Sequence, residues 1–96
     1  MARGKSYAFD AAQARRRAWR ELMLDSGHTT CEYCGCSLVK TIDEHPDRFA
    51  TVDHKVALAL AGLDEPDNWA LCCAKCNNEK GTLSVEGFLR LRKHRR

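Results

Sequence analysis

Two C-x-x-C pairs, Cys31/Cys34 and Cys73/Cys76, constrain this chain more than any other feature in it. A two-residue gap lets both thiolates face one ion while the backbone turns, and two such pairs roughly 40 residues apart can close one tetrahedral Zn²⁺ site. Closure would pin everything between them. The chain has 96 residues with two Trp, three Phe and two Tyr, near the small end of what buries an adequate core. A structural metal is the usual remedy, because zinc-binding free energy becomes folding free energy. Six cysteines could instead form three disulfides, as in secreted mini-proteins. Against that, the N-terminal stretch MARGKSYAFDAAQARRRAWR lacks the apolar run of a signal peptide, and VALALAG is too short to cross a bilayer. The expectation is an intracellular protein, away from membranes, with reduced, metal-bound thiols.

The net charge of +3 is unevenly spread. Residues 1–24 carry six basic and two acidic groups, residues 82–96 five and one, and residues 25–79 four and ten. Basic flanks around an acidic centre suit a polyanion gripped at both ends and a cation held between. The chain reads as one domain over 1–96, divided into a basic N-terminal helix (1–27), a zinc-bound core (31–81) and a basic C-terminal helix (82–96).

Met1 to Ala8 has no periodicity and reads as frayed. Asp10 is a candidate N-cap with Gln13 at the capping-box position, and Gly27 lies past the helix end. At 100° per residue, Ala11, Ala12, Ala18, Trp19, Leu22 and Met23 share an apolar face. Arg15 falls within that arc and would have to snorkel or find a partner. Arg16, Arg17 and Arg20 share the opposite face, where a helix can hold phosphates without reading sequence. Gly35 relieves the turn after the first Cys pair, and Cys36 points elsewhere from an extended segment. Leu38 to Ile42 is predicted as a strand and Asp43 to Asp47 as a turn, with His45 solvated in it. A strand over Phe49 to His54, a connection over 55–67, a return strand over Trp69 to Cys72 and a helix over Ala74 to Lys80 follow, with Gly81 as the stop. Ser84 can cap a last helix to about Lys93, with Val85, Phe88, Leu89 and Leu91 inward and Arg90, Arg92 and Lys93 available to a polyanion.

The segment between the cysteine pairs holds what phosphodiester hydrolysis needs: a cation site, a base to activate water, and something to orient the base. His54 can be the base, histidine being the side chain that titrates nearest working pH. Asp53 is a hard oxygen ligand suited to Mg²⁺ or Mn²⁺. The two would face opposite ways on a regular strand, so both can reach one phosphate only if the strand ends there. Asn77 follows Cys76 on the helix, so a zinc-held Cys76 would carry the Asn77 amide oxygen toward a second metal.

In these residues the chain resembles the HNH endonucleases, the ββα-metal nucleases, in the variant bounded by two zinc knuckles. The match lies in Cys31-x-x-Cys34, Val52-Asp53-His54, Gly62, Asn68, Cys73-x-x-Cys76-Asn77 and Lys80-Gly81, over roughly half the chain. The resemblance implies an α+β, zinc-stabilised ββα-metal domain with flanking helices. It implies that Asp53 and Asn77 bind a catalytic Mg²⁺, Mn²⁺ or similar ion, that His54 is the general base, and that Asn68 braces the loop and orients His54. It also implies structural zinc on Cys31, Cys34, Cys73 and Cys76. Cys72 could compete with Cys73, but the gap to Cys76 and the adjoining Asn77 favour Cys73. Lys80 joins the candidate DNA contacts.

The usual Pro three positions after the Asp-His pair is Ala57 here, the usual Gly-Gly is Ala61-Gly62, and a further metal-binding His is replaced by Lys80 and Gly81. These departures suggest an altered loop path and a loosely held catalytic ion. The expected activity is metal-dependent DNA cleavage of low sequence specificity, leaving 5′-phosphate and 3′-hydroxyl ends as the family does. Size and composition also resemble phage-encoded HNH proteins that assist genome packaging, which would add packaging proteins to the partners and place the chain in the host cytoplasm; restriction, mobility and toxin roles use the same core. A non-catalytic zinc-ribbon module that binds nucleic acid is the alternative; it explains the four cysteines and basic ends but leaves Asp53, His54 and Asn77 as coincidence.

Overall fold

A computed structural model describes residues 3–94 of the chain, with side chains from 11 to 93. Helix α1 spans Arg3–Asp25, strand β1 Ala50–His54, strand β2 Trp69–Cys73, helix α2 Ala74–Lys80 and helix α3 Val85–His94. The strands pair antiparallel with Ala50 opposite Cys73 and His54 opposite Trp69. The fold is α+β, a ββα unit with a helix on either side of it in sequence.

Strand β2 is buried along its whole length, from Trp69 to Cys73, whereas β1 buries only Ala50 and Asp53. Two small cores flank β2. One gathers Cys31, Cys72, Cys73, Cys76 and Phe88, with Tyr33, Cys36 and Leu38 against it. The other gathers Leu24, Ala50 and Leu71, with Trp19, Met23 and Leu38 against it. A two-stranded sheet is marginal by itself, so these flanking layers carry it.

Helix α1 differs from the expectation in two ways. It begins at Arg3, so Asp10 lies inside it and cannot be the N-cap. Its inward face carries Trp19, Met23 and Leu24 with Arg16 and Arg20, while Leu22 is 63 % exposed and Ala11 and Ala18 face solvent. The inward face is thus turned from the one that hydropathy alone selects. The reason is that both arginines find partners on the core side. Arg16 pairs with Asp64, and the Arg20 guanidinium donates to the carbonyls of Ala50 and Lys40 and lies over the Phe49 ring. Arg15 reaches Glu65 and lies over Trp69 while remaining half exposed, the partnered snorkel its position requires. Trp19 packs edge-to-face on Trp69 with ring centroids 5.5 Å apart.

Leu38 to Ile42 is not a strand. Val39 makes one isolated bridge to Phe49 and the chain turns from Lys40 onward. Val39 pairs its N–H with Arg48 and its carbonyl with Ala50, but the Leu38 N–H goes to Thr29 and the chain bends at Lys40, so the bridge does not extend into a ladder. Helix α3 is capped as expected, with Gly87 N–H donating to Ser84 Oγ at 2.9 Å. Its buried stripe is narrower than predicted: Phe88 is buried and Val85 and Arg92 are partly so, but Leu89 and Leu91 are about two-fifths exposed. Positions 85, 88 and 92 fall on one line of a helix, and Phe88 on that line packs on the buried cysteines and edge-to-face on Tyr33.

The corrected face of α1 makes a stability prediction. Leu24→Ala should cost about 2–5 kcal/mol and Leu22→Ala less than about 0.5 kcal/mol, read as shifts of the urea midpoint.

Candidate active site and metal centre

Cys73 ends β2 and also begins α2, where its Sγ accepts the Cys76 N–H at 3.4 Å. The first Cys pair repeats this arrangement, Cys31 Sγ accepting from the N–H groups of Tyr33 and Cys34. Gly35, at φ +78°, makes the turn that follows, a conformation costly for residues with a Cβ. Glu32 ties this knuckle to β2 through its own N–H to the Leu71 carbonyl and its carboxylate to the Leu71 N–H. The sulfurs of Cys31, Cys34, Cys73 and Cys76 consequently lie within 4.8 Å of one another, with Cys34 and Cys73 3.9 Å apart.

Zn–S bonds of about 2.3 Å in a tetrahedron put sulfurs about 3.8 Å apart, so the cluster fits a zinc-like ion closely. Four thiols this near cannot all ionise unaided. Burial works to raise the Cys34 thiol, but hydrogen bonds from Cys36, Cys31 and Cys76 bring it down to about 6. Burial pushes Cys73 and Cys76 up, with help from the charge on Cys31, although the hydrogen bonds from Cys76 pull Cys73 the other way. A dication would resolve that conflict. Arg92 adds a neighbouring positive charge: burial opposes it, yet the sulfurs of Cys76 and Cys34 hold its pKa above the ordinary value. Cys36 and Cys72 stand outside the cluster, each pushed up to about 12 chiefly by burial, and Cys72 Sγ faces the Thr51 hydroxyl at 3.5 Å.

One helical step beyond Cys76, Asn77 turns away from the sulfurs. Its amide donates to Thr51 Oγ1 at 3.0 Å, and it lines a cavity of about 220 Å³ with Asp53, His54, Ala57, Leu58 and Thr82. Asp53 and His54 share this cavity because β1 ends at His54. The chain leaves the strand held by the Lys55 N–H to the Asn68 carbonyl, 2.7 Å. Asn68 clamps the loop at three points: Val56 N–H donates to its Oδ1, and its amide donates to the carbonyls of Val56 and Leu63. Gly62 is required there, since a Cβ would stand 1.8 Å from the Val56 carbonyl oxygen. Ala61, in the place of the commoner glycine, is held at φ +68°, a left-handed conformation that costs on the order of 1 kcal/mol.

The immediate partners of these residues were not legible in the sequence. Asp53, 6 % exposed, accepts on Oδ2 from the Tyr33 hydroxyl at 2.7 Å and from Lys80 Nζ at 3.1 Å. Burial and the Asp53 carboxylate push the Tyr33 phenol well up, so it stays a donor. Lys80 is 1 % exposed and its ammonium also donates to the His54 carbonyl at 3.0 Å. Lys80, predicted to meet DNA, is therefore turned inward, because the buried Asp53 carboxylate needs a cation more than the surface does. His54 Nε2 lies 2.8 Å from Asp64 Oδ1, an oxygen that also accepts from Trp69 Nε1 at 2.9 Å. Asp64 Oδ2 accepts from Arg16 at 2.6 Å. Burial works to raise the Asp64 carboxyl, but His54, Trp69 and the Arg16 charge outweigh it and hold it below the ordinary carboxylate value. Asn68 makes no hydrogen bond to His54; its side chain bonds to the loop that carries Asp64. Nothing in spacing marks Asp64 or Tyr33, whose partners lie in other segments.

Of the other basic candidates, Arg16, Arg17 and Arg20 line a cavity of about 300 Å³ with Gln13 and Phe49 to Val52, and Val52 also borders the first cavity. Arg17 has no side-chain partner among the described residues. On α3, Arg92 donates to the Tyr33 carbonyl and lies over Phe88, Arg90 pairs with Glu86 one turn away, and Lys93 is exposed.

The segment that builds both centres, residues 31–83, matches the HNH endonuclease family. The match covers more than half of the chain, and the chain belongs to that family. None of the curated proteins or solved structures compared with it gives a match. No helix among the described residues is long and apolar enough to cross a membrane.

Cys73→Ala should lose bound zinc and its folded circular dichroism together, because Cys73 both closes the cluster and caps α2. Cys72→Ala should keep zinc at one ion per chain by atomic absorption. The reverse pattern would make Cys72 the ligand.

Proposed function

We propose that the chain is a metal-dependent endonuclease that hydrolyses phosphodiester bonds of DNA. The observation that carries this reading is the convergence of Asp53, His54 and Asn77 on one cavity, beside a cluster suited to zinc, in a chain of the HNH endonuclease family. Asp53 and Asn77 would hold a Mg²⁺ or Mn²⁺ ion, through the Asp53 oxygen left free by Tyr33 and Lys80 and through the Asn77 amide oxygen. When bound, that ion supplies charge neutralisation at the scissile phosphate and the leaving oxygen. His54 takes the proton from the attacking water, and Lys80 and Tyr33 hold the Asp53 carboxylate still. Structural zinc on Cys31, Cys34, Cys73 and Cys76 fixes α2, and so Asn77, against β1.

The duplex would be gripped by backbone contacts that carry no sequence information. Arg17 is the best placed of the α1 arginines, because Arg16 and Arg20 already have partners inside the protein. Arg90 and Lys93 on α3 extend the basic surface. The non-catalytic zinc-ribbon reading draws on one observation, the Lys80 ammonium 3.1 Å from Asp53. A lysine there neutralises the carboxylate that the catalytic ion would use.

Cleavage decides between them. Purified protein should convert supercoiled plasmid to nicked circles with Mn²⁺ or Mg²⁺ and not with EDTA. His54→Ala should lower the rate on the order of 10²–10⁴-fold; an undiminished rate would remove His54 as the base. Arg17→Ala should weaken DNA binding at all sequences and reduce the salt slope of log K by about 1.

A further inference from the structure

Asp64 stands among three nitrogen groups contributed by three parts of the chain. Trp69 at the start of β2 offers an indole N–H, which can only donate, and Arg16 of α1 offers a guanidinium, which also can only donate. Both Asp64 oxygens are thus engaged as acceptors, and Oδ1 is the atom that His54 Nε2 approaches at 2.8 Å. A carboxylate in this setting has no hydrogen to give. The nitrogen that faces it must carry the hydrogen, which leaves the lone pair of a neutral imidazole on Nδ1. Among the described residues Nδ1 has no partner, and His54 borders the cavity shared with Asp53 and Asn77.

We propose that Asp64 is the positioning residue for His54, holding the ring in the Nε2–H tautomer with Nδ1 as the basic nitrogen, and that Arg16 of helix α1 locks Asp64 in that role. The assignment gives α1 a part in the site although it lies outside the 31–83 segment that defines the family. It also revises how Asn68 acts. The Asn68 amide makes three bonds to the backbone of the loop and none to His54, so its influence on the base runs through the loop that presents Asp64. Arg16 and Asp64 form the tighter contact of the two ion pairs that α1 sends to this loop, 2.6 Å against 3.3 Å for Arg15 and Glu65, and the better shielded one. Trp69 packs edge-to-face on Trp19 of the same helix. The base is therefore oriented by a chain of contacts, Arg16 to Asp64 to His54, whose far end is anchored on α1.

The assignment rests on the nuclease reading for its consequence but not for its first test. In ¹⁵N-labelled full-length protein, ring-nitrogen correlations should show His54 with hydrogen on Nε2 and a bare Nδ1. Asp64→Asn keeps the size of the side chain but leaves one oxygen to satisfy Arg16, Trp69 and His54. The His54 tautomer should shift toward Nδ1–H, with zinc content and circular dichroism retained. Single-turnover nicking should fall by about 10²-fold or more with little change in KM. Arg16→Met should give a smaller loss in the same direction. Glu65→Ala, which removes the neighbouring exposed carboxylate, should leave both tautomer and rate alone. A wild-type His54 with hydrogen on Nδ1, or an Asp64→Asn protein with unchanged tautomer and a rate within twofold of wild type, would overturn the assignment. A chain that cuts no DNA yet shows the Asp64-dependent tautomer would sink the nuclease reading and leave the hold of Asp64 on His54 standing.

Discussion

Everything in this molecule depends on four sulfur atoms brought within 4.8 Å of one another. The two-stranded sheet is too small to stand alone, and in one of its two flanking cores four of the five buried residues are cysteines. Such a core has little apolar area to bury, and an ion shared by the four sulfurs would add the cohesion it lacks. Cys73 concentrates the dependence in one residue. It closes β2, caps α2 and belongs to the cluster, so strand end, helix start and metal geometry are set by the same atoms. Asn77 lies one turn beyond it, and its direction toward Asp53 and His54 is inherited from that junction.

Helix α1 supplies the second brace, and it does so with residues that look like surface charge. Trp19 meets Trp69 at one end of β2, Arg20 satisfies two backbone carbonyls, and Arg16 reaches the loop between the strands. Consecutive arginines on a helix point in different directions, which lets one run serve two purposes. Arg16 and Arg20 face the protein, and Arg17 is left to solvent. A basic count alone would assign all three to nucleic acid.

Most acidic groups of the centre face solvent, but the two carboxylates at the site are held by pairing. Asp53 is buried against Tyr33 and Lys80, and Asp64, partly exposed, is held by His54, Trp69 and Arg16. Removing one partner of a buried pair leaves an uncompensated charge, which is costlier than the pair is stabilising. These contacts fix where the carboxylate oxygens point.

Much of the frame was legible in residue order. The spacing of the cysteine pairs, the run of β-formers before Asp53-His54 and the glycine after Lys80 anticipate the knuckles, the hairpin and the helix, because those features are local and each is carried by a few adjacent residues. The strand expected at Leu38 to Ile42 does not form because a ladder needs successive residues paired to one partner strand, and Leu38 and Val39 bond to different segments. The apolar face of α1 was misjudged because periodicity counts arginine as outward-facing, whereas Asp64 and the Ala50 carbonyl were waiting on the inner side. Lys80 was misread for the same reason. What sequence alone determined is which residues could form the two metal centres, since ligand chemistry and spacing are local properties. Which charges turn inward, and that Asp64 rather than Asn68 touches the His54 ring, was decided only when the chain closed, because those partners are 10 to 50 residues apart and meet by packing alone.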